Sequence, residues 1–294
     1  MQPWHGITVA SALPLTGDLS IDFDRFGEHV QWLAANGCHG VVPNGSLGEY
    51  QTLSARERAD VVRAAVESAP DGFSVVPGVG AYGSREARGW TEQAAEAGAH
   101  AVLLLPPNGY RADEDTVVAH YAEVARAGLP VVAYNNPKDT KVDLLPSLLA
   151  RLFHEGHIVA VKEFSGEVGR AYQLAELAPG LDVLAGADDV LLEMVLAGAK
   201  GWVAGYPNAL PASCAELYTA AKQGDMATAL PLYKLLHPLL RWDSRTEFVQ
   251  AIKLSMDIAG RDGGAARPPR LALTADQEAA VREQTEKALA AGCH

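Results

Sequence analysis

The sequence is poor in cysteine, in basic residues and in long apolar runs, and each shortage excludes a class of protein. Its three cysteines, Cys38, Cys214 and Cys293, form no CxxC pair, so neither a disulfide framework nor a thiolate metal site is expected. Lys and Arg total 24 against 36 Asp and Glu, a balance that argues against a nucleic-acid or anionic-membrane partner. No apolar run reaches the roughly 18 residues of a membrane span, and residues 1–5 lack the features of a signal peptide. We therefore expect a cytoplasmic protein with reduced thiols.

Signatures of bound cofactors are also missing. The first strand-to-helix turn, residues 10–17, lacks the GxGxxG motif that cradles a dinucleotide. His154 and His157 are three residues apart, but no third ligand accompanies them at a strand end. We expect neither a metal nor another cofactor.

What the sequence does contain is a regular repeat of short apolar runs and amphipathic segments. The apolar runs show no strict alternation, which is typical of strands buried on both faces of a parallel sheet. Between them, helical segments have start signals such as Ser54 with Glu57 ahead of residues 59–69, and Asp188 with Asp189 ahead of residues 190–197. The eight runs are residues 7–10, 40–42, 74–76, 101–105, 131–134, 158–162, 182–185 and 201–204.

This repeat predicts an α/β protein with a (β/α)8 TIM barrel over residues 1–210. An open, doubly wound sheet is the alternative fold. Beyond residue 210 no further strand pattern occurs, and residues 211–260 and 274–291 have helical patterns joined by the Gly/Pro-rich residues 263–269. We interpret residues 211–294 as a C-terminal helical region packed on the barrel in one structural unit. This region is a candidate surface for oligomer formation.

Reactive groups in such a barrel lie where the strands end. Lys162 ends the sixth run, where burial lowers the pKa of an amine so that it can attack a ketone; the alternative is a lysine that only extends to solvent. Tyr134 ends the neighbouring fifth run, and its phenol can transfer protons, although a tyrosine there can also serve packing alone. The second run leads into Gly45 and Ser46, whose backbone amides and hydroxyl suit a carboxylate.

Four other charged residues are weaker candidates. Lys200 precedes the eighth strand, at the opposite end of the barrel. Lys253 lies within a C-terminal helix, where we expect a solvated charge. Glu49 and Glu163 are expected to orient loops rather than to act as bases.

Four motifs together resemble the dihydrodipicolinate synthase/N-acetylneuraminate lyase family, from about residue 6 to residue 273. This resemblance implies a (β/α)8 barrel with a helical C-terminal region, usually a tetramer. It also implies a metal-independent class I mechanism, in which a lysine forms an imine with pyruvate or another 2-oxo acid. The motifs are Gly45-Ser46-Leu47-Gly48-Glu49, Tyr134-Asn135-Asn136-Pro137, Val161-Lys162-Glu163-Phe164-Ser165-Gly166 and Leu184-Ala185-Gly186-Ala187-Asp188.

The resemblance also implies roles for individual residues. Lys162 is the Schiff-base lysine and Tyr134 the proton-transfer residue. Ser46 binds the substrate carboxylate and joins the proton relay, with help from the backbone amides of Ser46 and Leu47. Gly186 and Val203 line the pocket beside the lysine.

Two departures from the family bear on the substrate. True dihydrodipicolinate synthases have an arginine where this chain has Asp139, and an interface tyrosine where it has Asn108. Tyr110, two residues further on, is a candidate replacement for that tyrosine. Losing both residues makes lysine biosynthesis an unexpected role.

Residues 205–211 instead resemble family members that act on degradative substrates. Four residues are candidates for contacts to the distal part of such a substrate: Asn136, Lys138, Tyr206 and Asn208. The function that we favour is a lyase of aldolase or dehydratase type, acting on pyruvate or a 2-keto-3-deoxy sugar acid.

Three other functions remain open. They are a pyrroline-4-hydroxy-2-carboxylate deaminase of the hydroxyproline pathway, dihydrodipicolinate synthase proper, and a non-catalytic sensor of 2-oxo acids. A sensor would not need the nucleophile, because reversible binding requires no covalent bond. The expected partners are a small 2-oxo acid and further copies of the chain in a dimer or tetramer.

Overall fold

The computed structural model describes residues 1–294 and contains eight parallel strands in a single sheet. Their order is β3-β2-β1-β8-β7-β6-β5-β4. The ends of this order meet where Gly78 pairs with Leu103 and where the Val79 amide donates to the Leu103 carbonyl at 3.0 Å. The predicted (β/α)8 barrel is therefore confirmed. The strands are β1 Gly6–Ala10, β2 Gly40–Val42, β3 Ser74–Val75, β4 Val102–Leu104, β5 Val131–Asn135, β6 Ala160–Glu163, β7 Asp182–Ala185 and β8 Gly201–Ala204.

Eight helices lie between successive strands, two of them between β5 and β6, and four more follow β8 and form the C-terminal region. The predicted capping box is present, since the Ser54 hydroxyl accepts from the Glu57 amide at 3.3 Å and the Glu57 carboxylate accepts from the Ser54 amide at 2.8 Å. The helices are α1 Phe23–Ala35, α2 Ala55–Ser68, α3 Ser84–Ala97, α4 Glu114–Ala125, α5 Pro137–Thr140, α6 Pro146–His154, α7 Gly169–Leu177, α8 Leu191–Leu196, α9 Pro211–Gln223, α10 Met226–Leu240, α11 Phe248–Ile258 and α12 Ala275–Ala290. No helix combines the length and the apolar character needed to cross a membrane.

Apolar side chains form two clusters. The larger one fills the space between the sheet and the surrounding helices. The smaller one occupies the barrel interior and includes Tyr134, Phe164 and Val203. The barrel interior is thus filled by side chains, and the cavity associated with the barrel lies above this layer, at the strand ends.

The C-terminal helices are fixed to the barrel by a buried ion pair. Lys253 of α11 is 1% exposed, and its amine bonds to Glu49 at 2.9 Å and to the Ala265 carbonyl at 2.7 Å. The same Glu49 carboxylate accepts from the backbone amide of Arg267 at 2.7 Å. The expectation of a solvated Lys253 is therefore wrong, because α11 is enclosed by the barrel and by the segment that leads to α12.

Candidate active site

A cavity of about 740 Å³ opens at the carboxyl ends of the strands. Six of the residues predicted from the sequence line it: Ser46, Leu47, Tyr134, Asn136, Lys138 and Lys162. They come from the ends of β2, β5 and β6. Lys200 is exposed beside the start of β8, at the other end of the barrel.

Lys162 is the buried amine of this cavity. It lies directly opposite Tyr134 in the register of β5 and β6, and its Nζ is 4.4 Å from the centre of the Tyr134 ring. The side chain is 6% exposed, and its amine lies over the rings of Tyr134 and Phe164 and makes no hydrogen bond or ion pair. Burial lowers the pKa of Lys162, while the charges of Asp243 and Asp188 oppose that shift. The neutral, nucleophilic amine is therefore more populated than in a solvated lysine.

Because Gly186 has no side chain, the stem of Lys162 can pass close to its backbone. A Cβ at this position would lie 2.9 Å from Lys162 Cγ and 2.5 Å from the Glu163 carbonyl oxygen. Gly186 thus supports the lysine stem rather than lining the cavity itself. Val203 does not line the cavity either, because it packs with Tyr134 and Phe164 in the barrel interior below it.

Tyr134 presents a protonated phenol beside the amine. Burial raises its pKa well above the ordinary value, and the charges of Asp243 and Asp139 raise it further. The hydroxyl accepts a hydrogen bond from Asn136 Nδ2 at 3.3 Å. Phe164 packs edge-on against the ring, with the ring centres 6.1 Å apart. The phenol is therefore fixed in position as a proton donor at neutral pH.

Ser46 and Leu47 lie across the cavity from the amine. β2 and β6 are four strands apart in a ring of eight, so the turn after β2 faces Lys162. Asn44 and Glu49 bracket this turn in left-handed conformations, with φ of 55° and 53°. The Asn44 side chain donates to the Arg58 carbonyl at 2.9 Å, which fixes the turn on α2. A rigid turn with free backbone amides and a hydroxyl suits a carboxylate.

Two buried carboxylates shape the neighbouring loops. Asp188 accepts from Trp202 Nε1 at 2.8 Å and from the Tyr206 amide at 2.9 Å. It was expected to mark a helix start, but a 3-10 turn over Asp188–Val190 precedes α8 and the carboxylate points into the protein instead. Glu163 accepts from Asn135 Nδ2 at 3.0 Å and from the Ser165 amide at 2.6 Å, and so orients a loop as predicted.

Besides Gly186 and Val203, three further predicted substrate contacts lie outside the cavity. Tyr206 is 1% exposed and packs in the core between the barrel and α11. Asn208 is fully buried, and its side chain bonds to the Ala10 carbonyl at 2.8 Å and to the Ala12 amide at 2.9 Å. Both residues belong to a 3-10 turn that faces the protein interior, so neither can contact a substrate in this cavity. Tyr110 is 60% exposed and does not line the cavity of its own chain.

Several residues that line the cavity were not predicted from the sequence. Asp243, Arg245 and Arg270 reach it from the C-terminal region, and Tyr50 and Tyr82 reach it from loops. Arg245 stacks on Trp242 at 4.2 Å and Arg270 on Phe248 at 5.0 Å, yet neither guanidinium forms an ion pair. Only tertiary packing brings these side chains to the strand ends, and no local motif encodes it.

No cluster of three or more His, Cys, Asp or Glu side chains is arranged to hold a metal ion. His154 lies instead against the Leu177 carbonyl at 3.0 Å, and His157 lies 3.3 Å from Glu155.

Comparison with known proteins gives matches over nearly the whole chain. A sequence profile of the dihydrodipicolinate synthetase family matches residues 3–288. The 4-hydroxy-tetrahydrodipicolinate synthase of Methanothrix thermoacetophila is 34% identical over 287 residues, which covers 97% of both chains. The synthase of the same name from Anaeromyxobacter dehalogenans is also 34% identical, covering 96% of this chain and 97% of its own.

Solved structures agree with the sequence matches. A putative dihydrodipicolinate synthetase from Pseudomonas aeruginosa superposes with a TM-score of 0.91 at 30% identity, covering 96% of this chain and 99% of its own. A chloride-inhibited dihydrodipicolinate synthase from Acinetobacter baumannii, in complex with pyruvate, superposes with a TM-score of 0.92 at 28% identity, covering 97% and 98%.

Proposed function

The chain belongs to the dihydrodipicolinate synthetase family, and from this premise we propose that it is a lyase that holds a 2-oxo acid as an imine on Lys162. Pyruvate or a 2-keto-3-deoxy sugar acid is the substrate class, and the reaction is of aldolase or dehydratase type. One observation carries the proposal. The Lys162 amine is buried, has no hydrogen-bond partner, and opens into a cavity beside the Tyr134 phenol.

The proposed chemistry begins with attack of the neutral amine on the ketone carbon. A C–N bond forms, the C=O π bond breaks, and a proton passes from the nitrogen to the oxygen, which leaves a hydroxyl on that carbon. Tyr134 donates a proton to this hydroxyl, which departs as water, and the imine forms. The protonated imine then draws electrons from the substrate. A carbon–carbon or carbon–oxygen bond further along the carbon chain of the substrate can therefore break without a metal ion.

The rest of the cavity supports binding of the acid. The Ser46 hydroxyl and the amides of Ser46 and Leu47 would hold the carboxylate next to the ketone, across from Lys162. Asn136 and Lys138 would contact the distal part of the substrate. The unpaired cations Lys138, Arg245 and Arg270 line the same cavity in a chain of net charge −12. This local positive charge favours a substrate with a second anionic or strongly polar group.

Lysine biosynthesis is the second candidate, because relatives at 34% identity are named 4-hydroxy-tetrahydrodipicolinate synthase. Against it, Asp139 and Asn108 line the cavity at the two positions where such synthases have arginine and tyrosine. Arginine binds a substrate carboxylate bidentately, and an aspartate repels it. The deaminase acting on a cyclic imine uses the same Lys162 chemistry and differs in its product, ammonia. A sensor would have no use for the buried nucleophile.

We also propose a cytoplasmic homo-oligomer, a tetramer or a dimer. Tyr82 and Tyr110 support this proposal, because they are 81% and 60% exposed and lie close to the cavity mouth and its loops. Large exposed aromatic side chains are typical of protein interfaces. Sedimentation equilibrium would measure the assembly, and a purely monomeric protein would contradict it.

A screen of 2-oxo acids, sugar acids and pyrroline carboxylates tests the function. Released pyruvate, ammonia or semialdehyde would be detected, alongside condensation of pyruvate with aspartate semialdehyde. We expect turnover of a 2-oxo acid that is abolished in Lys162→Ala and retained in Lys200→Ala. Full activity of Lys162→Ala, with the fold intact by circular dichroism, would contradict the proposal.

A further inference from the structure

Asp243 brings a carboxylate from the C-terminal region to the strand ends. It lies in the turn between α10 and α11, is 9% exposed, and lines the cavity together with Lys162 and Tyr134. Its carboxylate has no counter-ion within ion-pair distance and no side-chain donor, and the backbone amide of Asp188 is its hydrogen-bond partner. A carboxylate at the edge of a reactive cavity with no counter-ion can still accept a proton from a ligand.

The fold makes room for this carboxylate and fixes it. A Cβ on Gly205, directly after β8, would lie 2.5 Å from Asp243 Oδ1. The φ of Gly205 is −94°, so glycine is needed there for space and not for backbone conformation. On either side of Asp243, Trp242 Nε1 donates to Gln284 at 3.0 Å and Ser244 Oγ donates to Asp189 at 2.9 Å.

Asp243 and Tyr134 flank the lysine from opposite sides. Along the sheet, β5 carries Tyr134, β6 carries Lys162, and the end of β8 carries Gly205 against Asp243. The charge of Asp243 acts on both the amine and the phenol, but no ion pair joins it to Lys162. A gap therefore separates the carboxylate from the amine, and a substrate carbon bonded to that amine would lie in it.

We propose that Asp243 is a second proton carrier, which removes a proton from C3 of the substrate imine on Lys162 and can return it. The C3–H bond breaks, its electron pair forms a C2=C3 double bond, and the former C2=N pair moves to the nitrogen as a neutral enamine. The proton resides on the Asp243 carboxylate. This inference rests on the proposed imine chemistry. Tyr134, which is protonated, donates its proton to the oxygen that departs when the imine forms.

The protonation state of Asp243 suits this role. Burial raises its pKa to about 6, so it is largely ionised at neutral pH and can accept a proton. The Lys162 and Lys138 charges and the Asp188 amide favour the ionised form, whereas the Asp189 charge opposes it. The groups that face Asp243 are Lys138, Lys162, Tyr134, Asp188, Asp189 and Tyr206.

Hydrogen–deuterium exchange at the pyruvate methyl group tests the inference. Exchange in D2O, followed by NMR, reports proton removal from C3, and borohydride trapping of pyruvate reports the imine separately. For Asp243→Asn we expect the rate of deuterium exchange to fall about 100-fold. Trapping on Lys162 should persist or quicken, because the carboxylate that raises the lysine pKa is gone. Asp243→Glu should restore part of the exchange, and the exposed Asp71→Asn variant should match the parent protein.

The pH profile adds a readout that a structural role would not change. Exchange by the parent protein should fall as the pH drops below about 6, and the residual exchange of Asp243→Asn should lack this dependence.

Unchanged exchange in Asp243→Asn with intact trapping would overturn the inference. A proportional loss of trapping and exchange in both Asp243→Asn and the smaller Asp243→Ser would also overturn it, since Asp243 would then only position Lys162. If the parent protein traps no pyruvate on Lys162, the proposed function itself fails and this inference fails with it.

Discussion

Lys162 and Tyr134 show how the environment of a single residue sets its chemistry. The same burial shifts the amine pKa downwards and the phenol pKa upwards. One group therefore becomes a better nucleophile while the other remains a proton donor. The sequence predicts this pair, because both residues end apolar runs and consecutive strands are neighbours in a barrel.

Replacing Tyr134 with Phe should slow imine formation by about 10²- to 10⁴-fold, the usual worth of a positioned acid or base. The fold should survive, because the ring still packs against Phe164. The rate of borohydride trapping with pyruvate measures the effect. Tyr172→Phe, at a site that is 57% exposed, is the matched control. Equal trapping rates in the two variants would exclude Tyr134 as the proton donor.

Gly186→Ala should displace the Schiff-base lysine, because the added methyl would lie 2.9 Å from Lys162 Cγ. We expect both the trapping of pyruvate and the thermal midpoint of unfolding to fall. Gly89→Ala in α3 adds the same methyl with nothing within 4 Å, and it should leave both quantities unchanged or slightly improved. Normal trapping by Gly186→Ala would show that the lysine stem does not need this space.

The positions of the strands are easier to predict from the sequence than the surroundings of residues in helices and loops. Each apolar run marks a strand, because burial on both faces of the sheet requires it. The helical pattern around Lys253 gave no such information, since only the tertiary contact with Glu49 defines its burial. The same limit applies to Tyr206 and Asn208, where the sequence identifies the loop after β8 but not the direction in which its 3-10 turn faces.

Removing one partner of the Lys253–Glu49 pair should destabilise the docking of α11. Both side chains are 1% exposed, so Lys253→Met would leave a buried carboxylate without its counter-ion. The expected loss is about 3–5 kcal/mol of unfolding free energy, measured by urea denaturation. Lys287→Met on α12 serves as a control for loss of a lysine charge. A Lys253→Met variant as stable as the parent would mean that the pair adds nothing to docking.

The whole molecule builds one site from two regions of the chain. The barrel supplies Lys162, Tyr134 and Ser46, whereas the C-terminal region supplies Asp243, Arg245 and Arg270. The first set could be predicted from motifs and from the order of strands. The second could not, because its members approach the cavity only after α10 and α11 have packed on the barrel.

The outer cations should select substrates by charge. Combining Arg245→Gln with Arg270→Gln should weaken the competition of 2-oxoglutarate against pyruvate trapping by about 10- to 100-fold, the worth of a charged hydrogen bond. Pyruvate itself has no distal carboxylate, so its own affinity should not change. Arg126→Gln, at the far end of α4, is the control. Equal competition in the parent and the double variant would remove these arginines from substrate recognition.

Borohydride reduction in the presence of pyruvate, followed by peptide mass spectrometry, identifies the residue that forms the imine. We expect one reduced pyruvate on the peptide that contains Lys162, and none in Lys162→Ala. An adduct on a different lysine, or no adduct at all, would contradict it.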